Sequence, residues 1–299
     1  MGDAVESDEL LLVDEGHGWI VHRRIVAEQG HPEARKTIQG VLIYSYGSMI
    51  RTPRRRDDGL GYILVGLGPR TDAVWLAGNA IGLGLTLAAA FVFPGHGLIF
   101  AYLAVTVRLA LYTQAAGWPG GEYFDQMLRL GLVAGFFEIF ADYVLVRLLV
   151  SGRLVYLTRD AVLLESPLYM PFAWACVIVE LGYVSVRLYS LFRGAPWGAW
   201  AASLVGGLTA GVFIGLYEYF AFRAGWWKYE PARVMIGPYC AAYIPLGECL
   251  MFLVMLPLLT WLGQRDESPS RRAFSGGIAF AAIILVSYFV AYVVLEGLP

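Results

Sequence analysis

Residues 207–219 read Gly207-Leu208-Thr209-Ala210-Gly211-Val212-Phe213-Ile214-Gly215-Leu216-Tyr217-Glu218-Tyr219, within an apolar run over 200–223 in which Glu218 is the one acid. A bilayer core takes about 20 apolar residues as a helix, and this run has that length. The rest of the chain has the same character. Its 299 residues are 58% hydrophobic and 15% charged, with a mean hydropathy of +0.59. Soluble domains are about 45–50% apolar and about 25% charged, so the composition argues against a soluble enzyme and for lipid as the solvent. A net charge of −2 gives no sign of a nucleic-acid partner, which calls for a basic stripe.

Apolar runs bounded by Pro, Gly or charge give seven expected spans, at 73–93, 97–115, 128–150, 168–191, 200–223, 239–263 and 273–296. The first two are joined by Phe93-Pro94-Gly95-His96-Gly97, a tight hairpin whose Pro and Gly stop one helix and start the next. Residues 1–72 hold 9 of the 22 basic and 11 of the 24 acidic residues and read as a polar N-terminal cap on a membrane domain over 73–299. Within that cap, Val41-Leu42-Ile43-Tyr44 and Tyr62-Ile63-Leu64-Val65 read as short strands or interfacial packing, and Arg54-Arg55-Arg56 as a contact to anionic lipid headgroups. Lys and Arg cluster in the cap and in the 264–272 connector, so the positive-inside rule places the N-terminus in the cytoplasm. With seven spans the C-terminus lies outside, in a multi-pass protein of the cell's inner or plasma membrane. The acidic start is not a cleavable signal peptide. Cys176, Cys240 and Cys249 fall within the expected spans as apolar fillers.

Residues 131–135, Gly131-Leu132-Val133-Ala134-Gly135, match Gly207-Leu208-Thr209-Ala210-Gly211, and at the same offset Phe137, Asp142 and Tyr143 match Phe213, Glu218 and Tyr219. Further on, Tyr156 falls against Tyr229 and Pro171-Phe172-Ala173-Trp174 against Pro245-Leu246-Gly247-Glu248. This pattern predicts an all-α, polytopic bundle of about seven transmembrane helices. It contains a tandem parallel two-helix repeat, with units at about 128–191 and 200–263 and a pseudo-symmetry axis along the membrane normal.

Ionisable groups at membrane depth are costly, about 2.5–3.5 kcal/mol on insertion scales, and mark function by default. Five acids sit in the spans: Glu138, Asp142, Glu180, Glu218 and Glu248. Glu138 and Asp142, four apart, share a helix face. A purely structural reading pairs acids with arginines, Arg108 neutralising Asp142 or Glu138; Arg147 and Arg187 lie near span ends and reach the interface. Asp142, Glu218, Trp174 and Glu248 fall at one level, surrounded by aromatic residues that include Tyr143, Tyr219, Trp227 and Tyr229. Many such aromatics are interface anchors. The remainder predict an aromatic cavity with carboxyls in its wall, suited to a developing cation and to general acid catalysis.

The four histidines, His17, His22, His31 and His96, lie outside the spans, which removes His-based di-iron and haem ligation. No phosphate-binding glycine motif is present, and the adjacent acids Asp57-Asp58 sit in the polar segment. Neither a metal nor a cofactor is expected.

Arg233-Val234-Met235-Ile236-Gly237 followed by Ile244-Pro245-Leu246-Gly247-Glu248-Cys249-Leu250-Met251-Phe252 resembles the signature of the integral-membrane lycopene cyclase domain. That family carries an aromatic connector, here Trp226-Trp227-Lys228-Tyr229, then a Gly, then Pro-x-Glu-Glu-x-x-x-Phe. Pro245, Glu248 and Phe252 match, while Gly247 stands at the first Glu. The resemblance covers roughly 125–256, and the family is itself built from a duplicated unit. It implies cofactor-free protonation of an isoprenoid alkene, followed by cyclisation or, in related carotenoid hydratases, capture of water. Carried over by position, Glu248 is the acid; Asp142 and Glu218 follow from the repeat.

The expected function is proton-initiated cyclisation, hydration or isomerisation of an isoprenoid or polyene lipid taken from the bilayer. Glu248, Asp142 and Glu218 are the catalytic acids; Trp174, Trp227, Tyr229, Tyr143, Tyr219, Glu138 and Glu180 form the binding wall. The alternative is a proton-coupled transporter or lipid-binding carrier whose acids relay protons.

Overall fold

The computed structural model describes residues 59–64 and 66–297 with their side chains, and the backbone of three strands within residues 1–57. The chain divides into two units, residues 1–57 and residues 58–299. In the first, β1 (Glu6–Asp14), β2 (Trp19–Ala27) and β3 (Gln39–Leu42) form an antiparallel sheet in the order β1-β2-β3. The Arg54-Arg55-Arg56 triplet and Asp57-Asp58 lie outside the described residues.

The second unit begins with a short helix, α1 (Gly61–Leu64), where the Tyr62-Ile63-Leu64 run reads from sequence as a strand or as packing. Leu60 and Ile63 are buried in the helical core. Residues 59–72 thus belong with the helices, not with a cap ending at 72. Then come α2 (Pro69–Leu87), ending in a π-turn over Ala88–Val92, and α3 (Gly97–Ala116). Gly95, at φ +89°, takes the turn between them. Next are α4 (Glu122–Tyr143), extended by a π-turn over Val144–Leu148, and α5 (Met170–Phe192), with β4 (Leu154–Tyr156), β5 (Val162–Leu163) and β6 (Ser166–Pro167) between them. After α6 (Gly198–Ala224) come β7 (Trp227–Tyr229), β8 (Met235–Ile236) and β9 (Cys240–Ala241), then α7 (Tyr243–Leu253), α8 (Met255–Gly263) and α9 (Pro269–Glu296).

Six of these segments are long and apolar enough to cross a membrane: Pro69–Val92, Gly97–Ala116, Met170–Phe192, Gly198–Ala224, Tyr243–Gly263 and Pro269–Glu296. That is the architecture of a multi-pass membrane protein. Leu76, Leu208, Val212, Phe289 and Val294 are exposed on the outer faces, where a soluble protein would place polar groups. The expected third span coincides with α4, which carries Glu122, Asp125, Arg129, Glu138, Asp142 and Arg147 through its extension. It packs against α5 and α9 but is too charged to stand among the six.

Two further expectations need correction. The fold is mostly helical rather than all-α, because the two long connectors are short-stranded. β4 pairs antiparallel with β7, Tyr156 opposite Trp227 and Leu154 opposite Tyr229, while β5–β6 and β8–β9 form small ladders. Chain that leaves a helix at a bilayer edge must still satisfy its N–H and C=O groups, and these ladders do so. In addition, the span expected over 239–263 starts at Tyr243 and breaks at Val254. Pro257 explains the break, since its ring clashes with the carbonyl four residues back and it has no N–H to donate. Cys240 therefore lies in a strand; all three cysteines are free.

Small residues set how closely α4 meets α5 and α6 meets α7. A Cβ at Gly135 would collide with the Pro171 carbonyl oxygen, and one at Gly131 would lie 3.0 Å from Ala175. On the other pair, a Cβ at Gly211 would lie 2.8 Å from the Pro245 oxygen, and one at Gly207 2.7 Å from the Cys249 oxygen.

Candidate functional site

The helical unit holds a cavity of about 400 Å³ between α2, α3, α5, α6 and α7, with Leu154 and Tyr156 of β4 and Trp227 and Tyr229 of β7 in its wall. Asp142 from α4, Glu218 from α6 and Glu248 from α7 line it, each nearly fully buried. The carboxyls come from three helices because each helix delivers its acid within about two turns of the connector end.

Each carboxyl is held by neutral donors. Asp142 Oδ2 accepts from the Tyr156 hydroxyl at 2.5 Å and from Ser166 Oγ at 2.5 Å. Glu218 Oε2 accepts from Trp227 Nε1 at 2.6 Å. Glu248 Oε1 accepts from the Tyr288 hydroxyl at 2.6 Å, while its Oε2 is buried with no hydrogen-bond partner. Among the described residues none of the three is ion-paired. Burial holds the Tyr156 and Tyr229 phenols well above the ordinary tyrosine range, so both remain neutral donors and wall groups.

Glu138 lies one turn before Asp142, outside the cavity wall. Both of its oxygens are buried without a partner in hydrogen-bond geometry, and Asp142 and Trp174 are its polar neighbours. Arg108 pairs not with Asp142 or Glu138 but with Glu180, Nη1 lying 3.1 Å from both carboxylate oxygens. Tyr112, one turn along from Arg108 on the same face, donates to Glu180 at 2.6 Å. Among the described residues an acid–arginine lock therefore exists at Glu180 and at none of the other four acids. Arg187 pairs with Asp72 at 3.0 Å, and Arg147 with Glu165 at 2.7 Å, outside the cavity.

Of the wall residues expected from sequence, Trp174, Trp227, Tyr229 and Glu180 line the cavity, and Tyr143 and Tyr219 do not. Tyr143 is exposed, and Tyr219 meets the Phe220 and Tyr239 rings edge-on. Consecutive residues on an α-helix are rotated by about 100°, so a helix that turns Asp142 or Glu218 inward points the next side chain elsewhere. Tyr217 and Tyr288 also line the cavity and Ser166 binds Asp142, none of which the pattern of spans and motifs singles out. Tyr288 and Tyr292, four apart in an aliphatic span, were the available signal; Ser166 gave none.

Gly247 explains how Tyr288 reaches Glu248. A Cβ at 247 would collide with the Tyr288 ring, so the small residue admits the phenol to the carboxyl beside it. Above the carboxyls, the connectors are tied together. Arg153 binds Glu230 through two hydrogen bonds of 2.8 and 2.9 Å, which lower the Glu230 pKa. Glu296, at the end of α9, accepts from Ser151 Oγ at 2.9 Å and from the Arg233 N–H at 2.6 Å.

The fold and site define a helical, multi-pass membrane protein with an apolar internal cavity walled by carboxyls. Residues 139–295 match the model of a family described as a domain of unknown function, DUF6989, and the chain belongs to that family. The matched stretch contains Asp142, Glu218, Glu248 and Tyr288. No curated protein and no solved structure matches the chain.

Proposed function

We propose that the protein is a membrane enzyme that protonates an isoprenoid or polyene lipid inside this cavity and lets the resulting cation cyclise, isomerise or take up water without a cofactor. The observation that carries this reading is the convergence of three carboxyls, none ion-paired, on one apolar, aromatic cavity. Buried polar atoms are almost always hydrogen-bonded, so the orphan Glu248 Oε2 calls for an explanation, and an oxygen carrying a proton for transfer supplies one. The proton passes from Glu248 to an alkene carbon, forming a C–H bond and leaving a carbocation and a carboxylate. Attack by a second alkene closes a ring; loss of a proton to a carboxylate such as Asp142 or Glu218 restores neutrality. Trp174, Trp227 and Tyr229 offer aromatic faces to the cation.

Access from lipid fits the same reading. Leu83, Phe213 and Leu216 belong both to the cavity wall and to the exposed outer surface between α2 and α6. The finer architectural reading is also ours. The helix over 122–148 is a seventh span, with the N-terminus cytoplasmic and the C-terminus outside. The α4–α5 and α6–α7 pairs are a tandem repeat, supported by the equivalent approach of Gly135 to Pro171 and of Gly211 to Pro245. The resemblance to the lycopene cyclase domain supports the chemistry, with Gly247 in place of the first Glu marking a different substrate.

The test is Glu248→Gln in cells fed polyprenyl or carotenoid precursors. Product is lost while the protein still inserts; unchanged product overturns the assignment. Proton-coupled uptake into liposomes that is abolished by Asp142→Asn would establish the transporter instead.

A further inference from the structure

The cavity has a second polar pole away from the carboxyl end. Its wall on α5 runs from Met170 to Glu180, ten residues or about 15 Å of helix. Trp174 stands near one end of this wall and Glu180 at the other. On α3 and α2, Arg108 and Asn79 line that deeper end.

Arg108 uses Nε on the Ala104 carbonyl at 2.9 Å and Nη1 on Glu180. Among the described residues its Nη2 group has no hydrogen-bond partner. Asn79 donates Nδ2 to the Trp75 carbonyl at 2.9 Å, which leaves its side-chain oxygen as an acceptor. A Cβ at Gly82 would come within 3.1–3.2 Å of the Arg108 side chain, and Asn79, three residues earlier, lies on that same face of α2. Donor and acceptor thus both line the deeper end of the cavity, where Glu180 and Tyr217 are the other polar groups of the wall.

We propose that this pole binds a neutral oxygen, an alcohol in the first place, at the end of the lipid opposite the reacting alkene. The proposal rests on the reading of the cavity as a lipid site. An alcohol accepts from Arg108 Nη2 and donates to Asn79, whereas a hydrocarbon leaves both unsatisfied. An anionic head is disfavoured because Glu180 already neutralises the guanidinium. The pole fixes which end of the chain enters first, and so which double bond lies beside Glu248. Arg108, Glu180 and Asn79 are positioning residues.

The experiment titrates the full-length, detergent-solubilised protein with geranylgeraniol, its hydrocarbon counterpart lacking the hydroxyl, and geranylgeranyl diphosphate, read by native mass spectrometry. The alcohol binds roughly tenfold or more tighter than the hydrocarbon, as one hydrogen bond to a charged group provides, and tighter than the diphosphate. Arg108→Gln/Glu180→Gln removes both charges together, avoiding an unpaired buried ion, and abolishes the preference; Asn79→Ala, a milder change, reduces it several-fold. Equal binding of alcohol and hydrocarbon, a preference for the diphosphate, or a preference that survives both variants overturns the polar pole while leaving the cavity's chemistry standing. Failure of all three probes to bind overturns the pole and the lipid site together. Selective alcohol binding with product unaffected by Glu248→Gln upholds the pole and overturns only the catalytic reading.

Discussion

At the scale of single residues, the carboxyls are defined by what holds them. Tyr288→Phe removes the one donor to Glu248 among the described residues, and the expected result is about a tenfold slower turnover with insertion unchanged, measured as product formed per protein. The magnitude is that of one hydrogen bond to a charged or strongly polar group, about 1.5 kcal/mol or more. Gly247→Ala forces the Tyr288 ring away from that same carboxyl and gives a similar loss of turnover. It also lowers the melting temperature, because the displaced ring lies in a packed core. A variant that melts lower but turns over normally would separate packing from positioning. The acids were legible in the sequence because charge is rare in apolar runs. Of their partners the aromatic Trp227 was legible too, but Ser166 and Tyr288 were not, because they are ordinary residues until the chain brings them to Asp142 and Glu248.

The elements show why two pairs of helices can pack at the observed distance. A Cβ at Gly135 meets backbone of α5, which cannot swing aside as a flexible side chain can. Gly135→Ala is therefore expected to destabilise the helical unit by about 1–3 kcal/mol or more, seen as a lower melting temperature in lipid nanodiscs. Gly211→Ala, with 2.8 Å to the Pro245 oxygen, has the same sign and a smaller size. If the Gly135 variant melts with the wild type, the close approach of α4 and α5 is not what stabilises this pair. Element boundaries followed the apolar runs to within a few residues, since length and hydropathy act locally. The break at Val254 and the strands β4 and β7 did not. Pro257 lies inside an apolar run, and β4 pairs with a segment more than 70 residues away.

For the whole molecule, the division into residues 1–57 and 58–299 leads to the prediction that the helical unit folds on its own. Residues 58–299 expressed alone are expected to insert and to melt as the full chain does, by thermal unfolding in the same detergent; loss of insertion would show that residues 1–57 are required. Span number is tested at the other end. A phosphatase reporter fused after Pro299 is active outside the cytoplasm if α4 and its extension cross the bilayer and the N-terminus is inside. An inactive fusion, with the N-terminus shown to be cytoplasmic, leaves an even number of crossings.

By itself the sequence determined the solvent, the positions of the apolar helices and the handful of acids within them, because the cost of placing charge in lipid is paid residue by residue. Tertiary structure alone decided which acids meet. Asp142, Glu218 and Glu248 share a cavity, Glu180 is locked to Arg108, and Tyr143 and Tyr219 face away. Those outcomes depend on helix rotation and on cross-chain pairing such as β4 with β7, which a one-dimensional pattern of hydropathy does not encode.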